Sequence, residues 1–264
     1  MSLKDILIFV KTYPEISKKY TETVCTGGIL ADTMQLVRLY PIRFRYLEGD
    51  KKFLKYQWIK AKISKAHSDP RPESHTIVES TIELGGIIPP DKDWSERRKW
   101  IINDNNLFDS MKKLHEAQKK NGTSLGIIKP KGPVSLHFEE RQASDVESAI
   151  RKKHSIISQL DLFEEKKDLY IMPMRFILKF HCNESDCNGH AMSILDWEIG
   201  QLYRKLRSHR DWKHKMEEKI IGEIFNENRD AYIILGNMAN WQNIFCVLGF
   251  FWPPKQYQMR LLEL

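Results

Sequence analysis

The chain has 264 residues, 41% of them hydrophobic, enough for one large or two small domains with a substantial core. A formal net charge of +7 and a pI near 9.1 favour phosphate-rich partners or anionic membrane surfaces. The longest apolar run, Ile244 to Pro253, falls far short of the roughly 18 residues that a membrane-spanning helix needs, which excludes that class.

No small-residue cleavage site follows the apolar run Ile6 to Val10, so a soluble, cytoplasmic protein without a membrane partner is expected. In such a reducing compartment Cys25, Cys182, Cys187 and Cys246 are expected to stay free, to be buried or to bind metal, rather than to form disulfides.

From Asp5 to Leu84 the apolar residues come in short β-rich runs: Ile6 to Val10, Thr23 to Cys25, Gln35 to Leu39, Gln57 to Ile63 and Thr76 to Leu84. Pro14, Gly27-Gly28, Pro41, Gly49 and the Pro70/Pro72 pair punctuate them as turn and breaker signals. Asp93-Trp-Ser-Glu opens a helix, and Asn106 to Lys120 reads as a second that stops at Asn121-Gly122. Strands over Ser124 to Lys129 and Val134 to Glu139 come next, then a helix over Ala143 to Leu160 that starts near Ser144 or Asp145.

Asp161 to Asp168 is charged and reads as a linker or a long surface loop. Beyond it, Leu169 to Phe180 has the composition of a buried strand. From His190 onward Leu195, Ile199, Leu202 and Leu206 recur at helical spacing. Asp211 to Asn228 is another predicted helix, and Ala231 to Leu235 and Ile244 to Phe251 are predicted strands that end at Pro253-Pro254. The expected fold is α+β, a single compact domain over 1–264 with a β-rich N-terminal lobe over 1–90 packed with a mixed helix and strand C-terminal lobe over 91–264.

The turn from Phe180 to Glu198 concentrates thiols, imidazoles and carboxylates between hydrophobic elements. Cys182-x4-Cys187-x2-His190 offers three metal ligands within one turn, while His181 points to the opposite face if the strand persists. A fourth ligand would come from afar, for example Cys25, His214 or Cys246. The alternative is two plain thiols beside a helix-capping loop. No cofactor is required on this reading, and the one candidate is a structural zinc.

Asp196 and Glu198 open the following amphipathic stretch, where Asp196, Gly200, Tyr203 and Arg207 share one line. A carboxylate there could stabilise an oxocarbenium ion or orient water, or it could be a helix-N-terminal acid favoured by the macrodipole. The loop from Lys11 to Gly28 sets Lys11, Lys18, Lys19, Tyr13 and Tyr20 between two strands, and Arg38, Arg43 and Arg45 follow with Tyr40, Phe44 and Tyr46 interleaved. This pattern suits nucleic acid through charge and stacking, or a half-buried strand with aromatics inward and arginines in solvent. The stiff segment Asp69-Pro-Arg-Pro-Glu-Ser74 would present Arg71 reproducibly, or merely join two strands. A P-loop, a G-x-S-x-G elbow, H-E-x-x-H, a dinucleotide G-x-G-x-x-G and the zinc-deaminase signature are all absent.

Lys-Thr-Tyr-Pro near the N-terminus, Glu-Thr-Val-Cys-Thr, Arg-Leu-Tyr-Pro-Ile-Arg-Phe-Arg, Asp-Pro-Arg-Pro-Glu-Ser, Ser-Leu-Gly-Ile-Ile-Lys-Pro, and Cys-x-Gly-His with Asp-Trp-Glu span most of the chain. Together they resemble a family of small bacterial proteins found near phage-defence and DNA-modification genes. The resemblance implies a DNA glycosylase that excises glucosylated hydroxymethylcytosine from phage DNA. It transfers no catalytic residue, because neither a helix-hairpin-helix with its downstream aspartate nor a uracil-glycosylase motif is found. Residue chemistry alone nominates Asp196, with Glu22 and Glu198, as catalytic carboxylates. Lys11, Tyr13, Lys18, Lys19, Tyr20, Arg38, Tyr40, Arg43, Arg45 and Arg71 would hold double-stranded or flipped-base DNA. The alternatives are a non-catalytic reader of modified nucleic acid and a metal-dependent endonuclease.

Overall fold

The computed structural model describes residues 1–91, 93–159 and 167–256. Most of the predicted linker, Asp161 to Lys166, lies outside the described residues. The fold is α+β, with a β-rich N-terminal region and a mixed C-terminal region. Among the described residues no helix is long and apolar enough to cross a membrane.

The N-terminal strands are β1 (Ser2–Lys11), β2 (Glu15–Ser17), β3 (Thr21–Leu30), β4 (Leu36–Ile42), β5 (Gln57–Lys65), β6 (Ser74–Ile77) and β7 (Glu83–Ile87). Their pairing closes a circuit, β1–β3–β4–β6–β5 and back to β1, in which β4–β6 is parallel and every other pair antiparallel. The first half of β1 pairs with β5 and the second with β3, so one long strand bends around the closure. Strand β2 adds to β3, and β7 to β5. The run Thr76 to Leu84, expected as one strand, is split between β6 and β7 by the turn Glu79–Thr81.

Helix α1 (Ser95–Ile101), the short strand β8 (Leu107–Phe108) and helix α2 (Met111–Asn121) lead into the C-terminal region. The second helix starts later than expected because Ser110, whose hydroxyl accepts from the Lys113 N–H, is its N-cap. Then come β9 (Leu125–Ile128), β10 (Lys131–Glu140), α3 (Ala143–Ser158), β11 (Met174–His181), β12 (His190–Ser193), α4 (Trp197–Leu206), α5 (Trp212–Glu217), β13 (Tyr232–Met238) and β14 (Trp241–Phe251).

Strands β9 and β10, parted only by Lys129 and Pro130, act as the two halves of one bent strand: β9 pairs with β13 and β10 with β11. Strand β11 pairs with β12, whose continuation at Ile194 bridges Val247 of β14 in parallel, and β14 pairs with β13. Numbered within each barrel, both circuits run 1-2-3-5-4-1 with one parallel pair between strands 3 and 5. That is the arrangement of the OB-fold, a small five-stranded Greek-key barrel.

Two expectations are corrected here. His190 to Ser193 is strand, because Phe180↔His190 and Ile177↔Ser193 pair across the cysteine turn and the helix begins only after Asp196. The predicted strand from Leu169 starts at Met174, the first residue that pairs with β10.

Each barrel has its own interior. Ile6, Ile8, Val37, Leu39, Ile59, Ala61 and Ile63 fill the first, and Leu136, Phe176, Leu178, Phe180, Ile233, Leu235, Phe245 and Val247 fill the second. A third cluster lies between them: Leu7, Phe9, Ile29 and Leu36 from the first barrel meet Leu125, Ile127, Tyr232, Ile234, Leu248 and Phe251 from the second. Strand β1 is therefore buried on both faces, which is why Ile6 to Val10 reads as a continuous apolar run rather than an alternating one. Full burial of each such side chain contributes roughly 1.5–3 kcal/mol.

Candidate functional site

The face that OB-folds use for oligonucleotides is the outer surface of barrel strands 2 and 3, flanked by the loops between strands 1 and 2 and between strands 4 and 5. In the first barrel that surface belongs to β3 and β4, and the second barrel covers most of it. Ile29 and Leu36 enter the inter-barrel cluster, and the Arg38 guanidinium donates to the Ser124 carbonyl at 3.1 Å. Of the outward residues of β4, Tyr40 alone is exposed.

In the second barrel the equivalent surface is open. Met174, Phe176, Leu178 and Phe180 of β11 point inward, so Arg175, Ile177, Lys179 and His181 point outward, the three polar ones exposed. Opposite them in register stand Glu139, His137, Ser135 and Lys131 of β10, and Ser193 and Ala191 of β12. Lys131, Arg175 and Lys179 make no ion pair among the described residues. Counting back equally from the Ile194–Val247 bridge sets Ala191 beside Ile244, which is 47% exposed. The β13–β14 turn, the strand 4–5 loop of this barrel, carries Met238 and Trp241 at 41% and 60% exposure. Cations on β10 and β11 and an open aromatic side chain at the β13–β14 turn are thus presented by the second barrel. Strict alternation from Met174 to His181 was the sequence signal for this surface, hidden inside an element read as simply buried.

The predicted nucleic-acid residues are dispersed. Arg38 and Arg71 are buried at 4% and 7% exposure, Arg71 gripping Asp69 and donating to the Asn237 carbonyl at 2.7 Å. Both guanidiniums tie the first barrel to the second instead of facing solvent, because carbonyls and a carboxylate replace the water they lose. Arg45 pairs with Glu22 at 2.8 Å, and Arg43 with Glu79. Lys11 points into aromatic rings, 3.7 Å from the Phe44 centroid with Phe53 and Trp197 behind, and burial pulls its pKa down to about 8. Tyr13 packs on Gly200 and Trp197 and donates its hydroxyl to the Tyr170 carbonyl. Lys18 and Lys19 are exposed on the turn after β2 with Tyr20 half-buried beside them, and the Tyr40 hydroxyl accepts from Thr23.

Asp196 caps α4: its Oδ1 accepts from the Ile199 N–H at 2.9 Å, and the side chain is 5% exposed. Burial pushes its pKa up to about 7, against the opposing pull of Lys55. Glu198, in the first turn, is half exposed and holds Lys55 at 2.8 Å. Glu22 is 2% exposed, and burial raises its pKa despite the facing Arg45. Two of the three carboxylates are therefore sealed, one as a helix cap and the other in a buried ion pair.

At the β11–β12 turn, Cys182, Cys187 and His190 converge. The two sulfurs are 3.6 Å apart, and His190 Nε2 lies 3.3 Å from each. Gly189, at φ +89°, makes the reversal that returns His190 to the sulfurs; a side chain there would be strained and would meet the His181 ring. Cys25, His214 and Cys246 are elsewhere: Cys25 lies against Arg38, His214 pairs with Glu218, and Cys246 is buried in β14.

Residues 2–103 match the family model described as "Domain of unknown function (DUF8758)", and residues 107–264 that described as "Domain of unknown function (DUF8757)". No curated protein matches. Among solved structures, a murine DNA-binding protein bound with double-stranded DNA aligns over 97% of this chain and 98% of its own, at 11% identity and a TM-score of 0.30. A replication protein A heterotrimer bound to single-stranded DNA aligns over 96% of this chain and 65% of its own, at 13% identity and a TM-score of 0.25. Likenesses that distant carry no weight for fold or function. The DUF8757 match spans more than half of the sequence, so the chain belongs to that family, with the DUF8758 match covering its first barrel.

Proposed function

We propose that this chain binds nucleic acid, holding a single strand across the open outer face of its second barrel. The observation that carries the reading is position: Arg175, Lys179 and Trp241 occupy the strand 2–3 surface and strand 4–5 loop by which OB-folds bind oligonucleotides. Cations without an ion pair among the described residues suit phosphates, and an exposed indole suits base stacking, a combination that tolerates many sequences. The net charge of +7 adds a general attraction for polyanions. The test is fluorescence anisotropy of labelled single-stranded oligonucleotides. Arg175→Glu/Lys179→Glu should weaken binding by at least about tenfold, the scale of losing two phosphate contacts. Unchanged affinity in the folded variant refutes the assigned face.

A finer reading is excision of a modified base such as glucosylated hydroxymethylcytosine from phage DNA. Its support is Asp196, a carboxyl held up to about 7 by burial, the kind of perturbation that clusters at functional sites. At 5% exposure Asp196 would meet a sugar only if α4 moved away from the first barrel. Incubation with matched plain and glucosyl-hydroxymethylcytosine DNA, followed by gels with and without hot alkali, tests it. Alkali-dependent breaks support excision, and intact DNA with a shifted native band supports binding alone.

A further inference from the structure

We propose that Cys182, Cys187 and His190 bind one zinc ion as three protein ligands, leaving the fourth coordination position to water or a small exogenous ligand. The site is independent of the nucleic-acid reading and rests on donor chemistry and geometry.

Two thiols and an imidazole are a zinc donor set, and here the donor atoms themselves converge. Tetrahedral zinc with Zn–S of about 2.3 Å and Zn–N of about 2.0–2.1 Å separates two sulfurs by roughly 3.8 Å and sulfur from nitrogen by roughly 3.6 Å. The observed edges of 3.6, 3.3 and 3.3 Å form the same triangle, slightly contracted, around one point. Thiol hydrogen bonds can also hold such a triangle, but two thiols and an imidazole aimed at one centre are the donor set that zinc takes.

Backbone N–H groups converge on both sulfurs. The Met111 N–H, at the start of α2, points at the Cys182 sulfur, and the Cys182 and Gly189 N–H groups point at the Cys187 sulfur. Backbone donors of this kind stabilise sulfur-bound charge and orient the ligands. Bound zinc would therefore lock the β11–β12 turn and, through Met111, the first turn of α2, with Lys112 and Glu184 adding an outer ion pair at 3.5 Å.

Among the described residues no fourth His, Cys, Asp or Glu donor joins the cluster. His181 projects from the opposite face of β11 and lies over Gly189. Three protein ligands with one position left open is the arrangement of zinc sites that exchange ligands, whereas purely structural sites close all four.

The full chain should be purified without chelator and its metal content measured by plasma mass spectrometry. Stoichiometric zinc is expected, with near-complete loss in Cys187→Ser/His190→Ala. Zinc retained by that variant refutes the ligand assignment, and metal-free wild-type protein whose Cys182 and Cys187 react at once with a thiol probe refutes the site. Cobalt(II) substitution of the wild-type chain gives a readout that needs no variant to fold. Thiolate-to-cobalt charge transfer with intense tetrahedral d–d bands is expected, and those bands should shift when imidazole is added. Octahedral cobalt without charge transfer overturns the site, and tetrahedral bands unmoved by imidazole overturn the open position.

Discussion

Arg38 of β4 donates from Nη2 to the Ser124 carbonyl at 3.1 Å, joining the first barrel to the residue that precedes β9 of the second. Glu73 completes the junction, accepting from the Ser124 N–H at 2.9 Å and from its hydroxyl at 2.6 Å. A buried cation and a carboxylate thus meet on one serine, although Arg38 Nη1 turns back to Cys25 Sγ of its own barrel and its Nε is buried without a partner among the described residues.

Arg38→Met should therefore act on stability rather than on ligand binding. Loss of a buried hydrogen bond from a charged donor costs about 1.5–3 kcal/mol. Urea denaturation should show that loss, while the folded variant keeps its oligonucleotide affinity within about twofold. A large fall in affinity at unchanged stability would restore Arg38 to the phosphate-binding role that its sequence context suggests.

Trp241, 60% exposed at the β13–β14 turn, should report ligand directly. Trp241→Ala is expected to cost about 1–3 kcal/mol of single-strand binding, the scale of one base–aromatic stack. Lys179→Gln should reduce the slope of log K against log salt by about 0.7, one phosphate's worth for a single strand. Titrations at several salt concentrations measure both, and a slope unchanged in Lys179→Gln would take that lysine off the nucleic-acid path.

Asp196 predicts a pH signature. Its folded pKa is raised to about 7 from an ordinary 3.8 by burial, so between those values the folded state holds a proton that the unfolded state has released. Wild-type stability is therefore drawn down by this group as pH rises from about 4 to about 7, and no further above that. Asparagine can still cap α4 and does not titrate. The stability of Asp196→Asn relative to wild type should climb across that window and then level, as measured by urea denaturation at a series of pH values. A difference independent of pH would mean that Asp196 is ionised throughout.

Gly200 faces Tyr13 so closely that a Cβ would stand 2.2 Å from the ring. The ring cannot swing aside freely, because its hydroxyl is tied to the Tyr170 carbonyl and Trp197 packs beside it. Gly200→Ala should destabilise by about 1–3 kcal/mol despite alanine's higher helix propensity. Calorimetry would show a lower Tm, and an unchanged or raised Tm would mean that α4 shifts without cost.

Local chemistry was legible in the sequence wherever it depended on spacing. Cys182, Cys187 and His190 converge as their separation implied, since a short turn between paired strands has few ways to run. The β-rich character of the first 90 residues and the mixed class of the rest followed from breakers and apolar periodicity. What the sequence could not decide was which outward strand face meets solvent. Arg38 and Arg175 both alternate with apolar neighbours on the second or third strand of a barrel, yet one is sealed and the other exposed. Alternation specifies only that a side chain leaves its own barrel. Whether it enters water or a second barrel depends on long-range closure and docking, and the same contacts made His190 to Ser193 a strand against its helical spacing, because pairing with β11 outweighs local periodicity.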